Sequence, residues 1–232
     1  MNRREFLRKS ALAAAGAAIV QPVSAVVKNA KTTGLIQDDP RPLKVLLING
    51  SPRRDGNTFL ALKEVETELL NNGITTELFQ IGRRAVRMCI NCGGCKKNND
   101  NGCVFDDDFC NVIAQKMAFS DALIIGTPVY YGQPNGALLA LLQRVFYSNG
   151  KVVQNKPASS VAVCRRGGAT AALQTMNMMF EMMNMPVVTS QYWNIVYGTE
   201  KGDAKNDTEG MQTMRTLGKN MAMLLKKLHA GG

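Results

Sequence analysis

The chain is predicted to fold as a three-layer α/β structure, a parallel sheet covered by helices on both faces. Three observations predict it. Short continuous runs of branched apolar residues recur along the sequence, as expected for strands buried on both faces. Segments with helical apolar spacing separate those runs, so the strands connect through crossovers rather than hairpins. The junctions are rich in Gly, Pro and Asn, which are turn formers.

Residues 43–48 (LKVLLI) read as the first strand, ended by Asn49-Gly50-Ser51-Pro52. Residues 58–72 place Phe59, Leu62, Val65 and Leu69 near one helical face, and Asn71-Asn72-Gly73 closes that helix. Residues 75–81 alternate as a second strand. After a cysteine-rich loop, residues 106–119 read as a helix with Asp106, Asp107 and Asp108 in its first turn, where acidic groups favour the dipole. Residues 121–126 (DALIIG) are a third strand, 135–147 a helix, 159–164 a fourth strand and 170–184 a helix stopped before Pro186. Residues 187–196 supply the last extended segment and 208–228 the last helix. Five strands with helices between them suit the doubly wound, flavodoxin-like order. No internal repeat is evident.

Residues 43–232 hold this domain. Ahead of it, MNRREFLRKS carries Arg3 and Arg4, then Phe6, Leu7, Arg8 and Lys9; an apolar run from Ala11 to Val20 follows, and Val23-Ser24-Ala25 ends it. A charged start, a short apolar middle and a small-x-small end define an export signal over residues 1–25. The apolar run falls short of the roughly 20 residues a spanning helix needs. Its paired arginines resemble a twin-arginine signal, against the alternatives of an ordinary secretory signal or a retained anchor. That resemblance implies periplasmic export of a folded protein, with only transient membrane contact. Residues 26–42 read as a linker ending in Asp-Pro and Arg-Pro.

The chain has 232 residues, 45% apolar and 20% charged, with a formal net charge of +10. Its Lys and Arg are scattered and not interleaved with aromatics, which argues against a nucleic-acid partner. A basic surface suits an anionic cofactor or an acidic redox partner.

In open parallel sheets ligands sit at the carboxyl ends of the strands, so the turns after the strands are the candidates. After the first strand, Ser51-Pro52-Arg53-Arg54-Asp55-Gly56-Asn57-Thr58 leads into a helix N-terminus, an anion site. No G-K-[ST] follows, which excludes a Walker loop and fits a single phosphate monoester. After the third strand, Thr127-Pro128-Val129-Tyr130-Tyr131-Gly132-Gln133-Pro134 offers flat aromatic surface and exposed backbone. After the fourth comes Cys164-Arg165-Arg166-Gly167-Gly168. Together these point to a phosphorylated planar cofactor across the strand tips.

Cys89-x2-Cys92-x2-Cys95-x7-Cys103 has the compact form of a 4Fe-4S ligand set. Three readings stay open: a cluster, structural cysteines that are reduced or disulfide-paired as an oxidising compartment favours, and zinc. Cys110 and Cys164 read as small packing residues. Residues 176–185 (MNMMFEMMNM) hold six methionines; an adaptable core or dimer contact fits better than copper. His229, the only histidine, falls at a helix end.

Residues 43–228 resemble the flavodoxin-like NAD(P)H-dependent FMN reductase family and its iron–sulfur flavoprotein branch. The matching segments are NGSPRRDGNT (49–58), the cysteine loop with FDDDF, GTPVYYGQPNGALLALLQRV (126–145), CRRGGATAAL (164–173) and QYWN (191–194). The resemblance implies FMN, with its phosphate on Ser51, Arg53, Asn57 and Thr58. The ring would lie against Pro128, Val129, Tyr130, Tyr131 and Gly132, with Arg165, Gly167 and Gly168 closing the far side. It also implies a homodimer, and the cysteine spacing resembles that of the iron–sulfur flavoproteins, although relatives exist with the loop and no cluster. The flavin would perform the chemistry, so no catalytic acid or base is expected. NAD(P)H is the family's usual donor but is scarce outside the cytoplasm. A quinone, cytochrome or redox protein is therefore the expected exchange partner. The alternative is a flavoprotein electron carrier that is not an enzyme.

Overall fold

The computed structural model describes residues 41–98 and 102–230. The expected export signal and all but the last two residues of the expected linker lie outside the described residues. Strands β1 (Lys44–Asn49), β2 (Thr75–Gln80) and β3 (Ala122–Tyr130) alternate with helix α1 (Asn57–Asn71), the short α2 (Gly94–Lys97) and α3 (Cys110–Ala118). There follow β4 (Gln133–Pro134), α4 (Gly136–Asn149), β5 (Ala158–Cys164), α5 (Ala169–Met182), β6 (Ile195–Tyr197) and α6 (Thr208–His229).

Five strands run parallel in the order β2-β1-β3-β5-β6, and β4 pairs antiparallel with the tip of β3. This is the flavodoxin-like doubly wound sheet the sequence predicts. The chain moves from β1 outward to β2, then returns on the other side of β1 as β3. The β1/β3 boundary is therefore the topological switch point, where a crevice opens at the strand ends.

The period of two along each strand builds the layers. Leu46 and Ile48 of β1 join Leu123 and Ile125 of β3 in a core with Ile113 and Met117 of α3, Leu141 and Val145 of α4, and Phe180 of α5. Val45 and Leu47 point the other way, with Ala122, Ile124 and Val161, into a core with Leu62 and Val65 of α1 and Met214, Leu217 and Met221 of α6. Arg215 of α6 bonds Glu64 of α1 at 3.0 Å on the rim of that layer.

Three elements differ from expectation. The third strand extends past Gly126 to Tyr130, because β4 gives its tip an antiparallel partner: Val129 faces Pro134 and Tyr130 faces Gln133. The helix expected over 106–119 begins at Cys110, because Asp108 Oδ2 is drawn to Arg144 while its Oδ1 accepts the Cys110 N–H at 3.0 Å. The extended segment expected over 187–196 touches β5 only at its ends. Val188 N–H donates to Ala158 O at 2.8 Å, and Ala162 N–H donates to Asn194 O at 2.9 Å. Asn194 Nδ2 and Ser159 Oγ tie the two ends through a 3.0 Å bond. Between them the chain bows outward and exposes Tyr192 and Trp193, whose rings meet at 5.1 Å.

The methionine-rich segment divides by face. Met176 and Met185 enter the core, Met179 and Met183 pack against it, and Met178 and Met182 face outward. His229 contacts Leu225 O through Nδ1 at 2.9 Å in the last turn of α6.

Asp121 opens β3 and anchors the start of β1. Its carboxylate accepts two bonds from Arg41 at 2.9 and 2.7 Å and one from Lys44 N–H at 2.8 Å. Burial pushes its pKa up, but these donors outweigh burial and hold it below the ordinary value of 3.8. A depressed carboxylate contributes stability that is present above the unfolded pKa and is lost as pH falls through the folded one. Acid titration followed by circular dichroism should therefore show destabilisation setting in below about pH 4. D121N should lower the neutral-pH stability by about 1–3 kcal/mol and flatten that acid dependence; an unchanged acid limb would assign it to other carboxylates.

Candidate functional site

Three turns meet at the carboxyl ends of β1, β3 and β5, which are neighbours in the sheet. The first, residues 50–56, is braced from beneath. Fully buried Asn49 accepts Ser51 N–H at 3.0 Å and donates to Gln80 Oε1 at 2.6 Å, and Gln80 Nε2 donates to Ser51 O. Ser51 Oγ accepts Arg53 N–H at 3.1 Å, which leaves the hydroxyl proton available to an anion. The turn then enters α1 through Gly56 with no side-chain cap. The first N–H groups of α1 thus lack the usual hydroxyl or carboxylate acceptor. Thr58 is buried in the first turn of α1, and Arg53 lies exposed on the loop.

Asn57 serves a different contact. Its Oδ1 accepts Gly202 N–H at 3.0 Å and Ala204 N–H at 3.3 Å, and its Nδ2 donates to Glu200 O at 2.8 Å. The side chain thereby ties the β6–α6 loop to the start of α1, and Lys201 pairs with Asp55 beside it. One proton on Nδ2 stays free for a ligand in that turn.

The second turn joins β3 to β4. Tyr131 (φ +51°) and Gly132 (φ +76°) are both left-handed, as a two-residue hairpin turn requires. For a tyrosine that backbone costs on the order of 1 kcal/mol. The side chain is nevertheless fully exposed and gains nothing from packing, so the strain holds an aromatic ring out at the strand tips. Tyr130 is half exposed beside it, and Pro128 and Val129 are partly buried in the strand. Thr127 Oγ1 accepts Asn135 N–H at 2.9 Å and fixes the hairpin to the start of α4.

The third turn follows β5, with Arg165 and Gly167 exposed and Gly168 left-handed at φ +84°. A Cβ on Gly168 would stand 2.6 Å from Gly132 Cα. The second and third turns therefore abut through bare backbone. Val129 Cγ1 lies 3.4 Å from the same Cβ position, so Gly168, Gly132 and Val129 are brought together.

The four clustered cysteines form a second centre. Cys89, Cys92, Cys95 and Cys103 line one cavity with Met88, Ile90, Val104, Arg144, Tyr147 and Ser148. No disulfide joins the cysteines among the described residues. Among the described residues no three His, Cys, Asp or Glu side chains converge on a single ion. A cubane differs, because each of its four thiolates takes a separate iron and the sulfurs enclose a volume. Burial pushes the Cys110 thiol up to about 12 and raises Cys164 as well, so both stay protonated packing groups at neutral pH.

Sequence reasoning missed the residues that hold this cavity. Arg144 is 2% exposed. It donates to Arg87 O at 3.0 Å, Phe105 O at 3.2 Å and Cys103 Sγ at 3.4 Å, and pairs with buried Asp108. Asn111 grips the Cys103 backbone, accepting its N–H and donating to its C=O, both at 2.9 Å. The available signal was an arginine on the apolar face that Leu141 and Val145 define in α4; such a charge must find a partner.

The sequence profile described as NADPH-dependent FMN reductase matches residues 43–200. An iron–sulfur flavoprotein of Methanocaldococcus jannaschii is 34% identical over 192 residues, covering 79% of this chain and 98% of its own. An iron–sulfur flavoprotein of Methanosarcina thermophila is 29% identical over 190 residues, 79% and 96% of the two chains. Among solved structures, RosB with a bound intermediate superposes at a TM-score of 0.61 with 19% identity, over 82% of this chain and 81% of its own. An archaeal flavodoxin superposes at 0.54 with 10% identity, over 79% and 99%. These two likenesses concern the fold.

The abutting glycines give the site a direct test. G168A places a methyl against Gly132 in a backbone region that L side chains avoid. It should weaken FMN binding at least about 10-fold, equivalent to about 1.4 kcal/mol, measured by quenching of flavin fluorescence on titration. Binding as tight as wild type would remove the two turns from the flavin seat.

Proposed function

The chain belongs to the NADPH-dependent FMN reductase family, and on that premise we propose an exported FMN-dependent oxidoreductase. It passes electrons between a reduced donor and a quinone, flavin or protein acceptor, and carries a 4Fe-4S cluster on Cys89, Cys92, Cys95 and Cys103. The observation that carries this reading is that the turns after three neighbouring strands, β1, β3 and β5, stand side by side, with the last two in backbone contact at Gly168 and Gly132. The cluster part is supported by four cysteines that line one cavity and by relatives named as iron–sulfur flavoproteins.

When bound, FMN supplies hydride and single-electron chemistry. The chain's own residues bind and orient. The uncapped start of α1, Ser51 and Arg53 suit a phosphate dianion through N–H donors and positive charge. Backbone at 131–132 and 167–168 offers donors and acceptors to the edge of a planar ring. Tyr130 and Tyr131 supply aromatic surface beside it, and Arg165 adds positive charge on the far side. Export favours a donor or acceptor found outside the cytoplasm, a quinone or a redox protein, over NAD(P)H.

One anaerobic preparation carries the test. Heat-released supernatant should hold about one FMN per chain, and the protein should contain iron and acid-labile sulfide in cubane ratio. Alanine at Cys89, Cys92, Cys95 or Cys103 should remove the iron and keep the FMN, whereas C110A should keep both. Absence of FMN, together with failure to bind it when added, would overturn the oxidoreductase reading; FMN without iron would overturn the cluster alone. Stopped-flow reduction should be fast with a quinol or redox protein and slow with NADPH, and the reverse order would overturn the assigned donor.

Export has its own measurement. Cell fractionation should find the mature protein in the periplasm, and R3K combined with R4K should trap it in the cytoplasm; unaffected export of the lysine variant would exclude the twin-arginine route.

A further inference from the structure

We propose that Arg144 is the positioning residue of the cysteine cavity: its buried guanidinium holds Cys103 as a cluster ligand and raises the potential of the cluster bound there. The inference rests on the cluster reading above and deepens it.

The geometry is specific to this side chain. Arg144 comes from α4 and lines the cavity wall together with Cys89, Cys92, Cys95 and Cys103. One end of its fork is fixed by Asp108 and by Arg87 O, the other by Phe105 O and Cys103 Sγ. The backbone on both sides of the cysteine loop, at residues 87 and 105, is thus gathered onto one guanidinium. Both charged side chains are almost completely removed from solvent, with 1% of the arginine and 3% of the aspartate side chain exposed.

A buried ion pair of this kind is a poor source of stability, because desolvation offsets much of the attraction. A core of the same volume built from apolar residues would serve folding as well. What an apolar core would not supply is a donor to Cys103 sulfur. Arg144 Nε is also buried and without a hydrogen-bond acceptor among the described residues, at the wall of a cavity lined by the four cysteines, by apolar side chains and by Tyr147 and Ser148. A thiolate-ligated cluster brings sulfur acceptors carrying negative charge into that cavity. Hydrogen bonds to cluster sulfurs and nearby positive charge both favour the reduced, more negative state, so they raise the reduction potential. Asp108 partly cancels the charge, which leaves the directed N–H groups as the larger contribution.

The test compares wild type, R144K and the double variant R144M with D108N, each loaded anaerobically with iron and sulfide. The double variant removes both charges together, so no unpaired ion is left buried. Iron and sulfide content, FMN content, far-UV circular dichroism and an EPR-monitored redox titration are read on all three. In the double variant the potential should shift negative and iron should pass to a chelator about 10-fold faster. R144K, which keeps the charge but loses the fork, should fall between. Failure of the double variant to hold iron, with FMN and dichroism intact, also supports the role. Unchanged potential and chelator rate in a loaded double variant overturn it. Should the double variant not fold, R144K decides, and wild-type potential and chelator rate there overturn it. A wild type that takes up no iron or sulfide overturns instead the cluster reading on which this one rests.

Discussion

A parallel sheet buried on both faces cannot turn a strand straight back into its neighbour, and this constraint organises the whole molecule. Between one parallel strand and the next the chain must leave the sheet, cross a face as a helix and return at the same starting edge; the short β4 alone pairs antiparallel, at the tip of β3. All the strand-to-helix turns are therefore delivered to one edge, and the three that follow β1, β3 and β5 stand side by side. Helix α1 starts there without a side-chain cap, so its first N–H groups face the strand ends. An anionic ligand meets at that edge the N–H donors it needs. The apolar alternation that makes the layers thus also sets these turns side by side.

The cysteine cavity is built on a different principle. Its loop has little apolar surface of its own to bury, and Met88, Ile90 and Val104 remain largely exposed at 63%, 54% and 51%. Polar contacts from the rigid scaffold hold it instead. Arg144 gathers backbone from both sides, Asn111 clamps Cys103, and Arg87 bridges Asp107 while its guanidinium lies 4.6 Å above the Phe105 ring. Helix α4 carries both halves of the arrangement. Its N-terminus is fixed to the aromatic hairpin through Asn135 and Thr127, and its later turns present Arg144, Tyr147 and Ser148 to the cavity. A helix of this length is stiff, so the two centres are held at a set separation by one element.

Much of the fold was legible in the sequence because the signals that specify it are local. The run LKVLLI, the helical spacing from Phe59 to Leu69 and the turn residues after each strand all act within a few positions. The turns after β1, β3 and β5 were legible for the same reason, since each lies in one short segment. Where the reading fell short, a distant partner intervened. Residues 187–196 were read as one strand, yet Ser159 and Asn194 fasten the two ends and release the middle. The helix expected from Asp106 starts later because Asp108 is committed to a residue in α4. Asn57, placed by its motif beside a phosphate, spends most of its amide on a loop more than a hundred residues away.

By itself the sequence determined the layer architecture, because periodicity and turn chemistry are properties of neighbouring residues, while its spaced motifs carried the resemblance to the family. Only the tertiary structure decided which polar side chains serve the ligand sites and which serve the scaffold. That choice depends on pairs such as Arg144 with Asp108 or Asn57 with Gly202, which burial forces together from distant parts of the chain. A polar group removed from water must take whatever partner the packing provides, and no local pattern names that partner in advance.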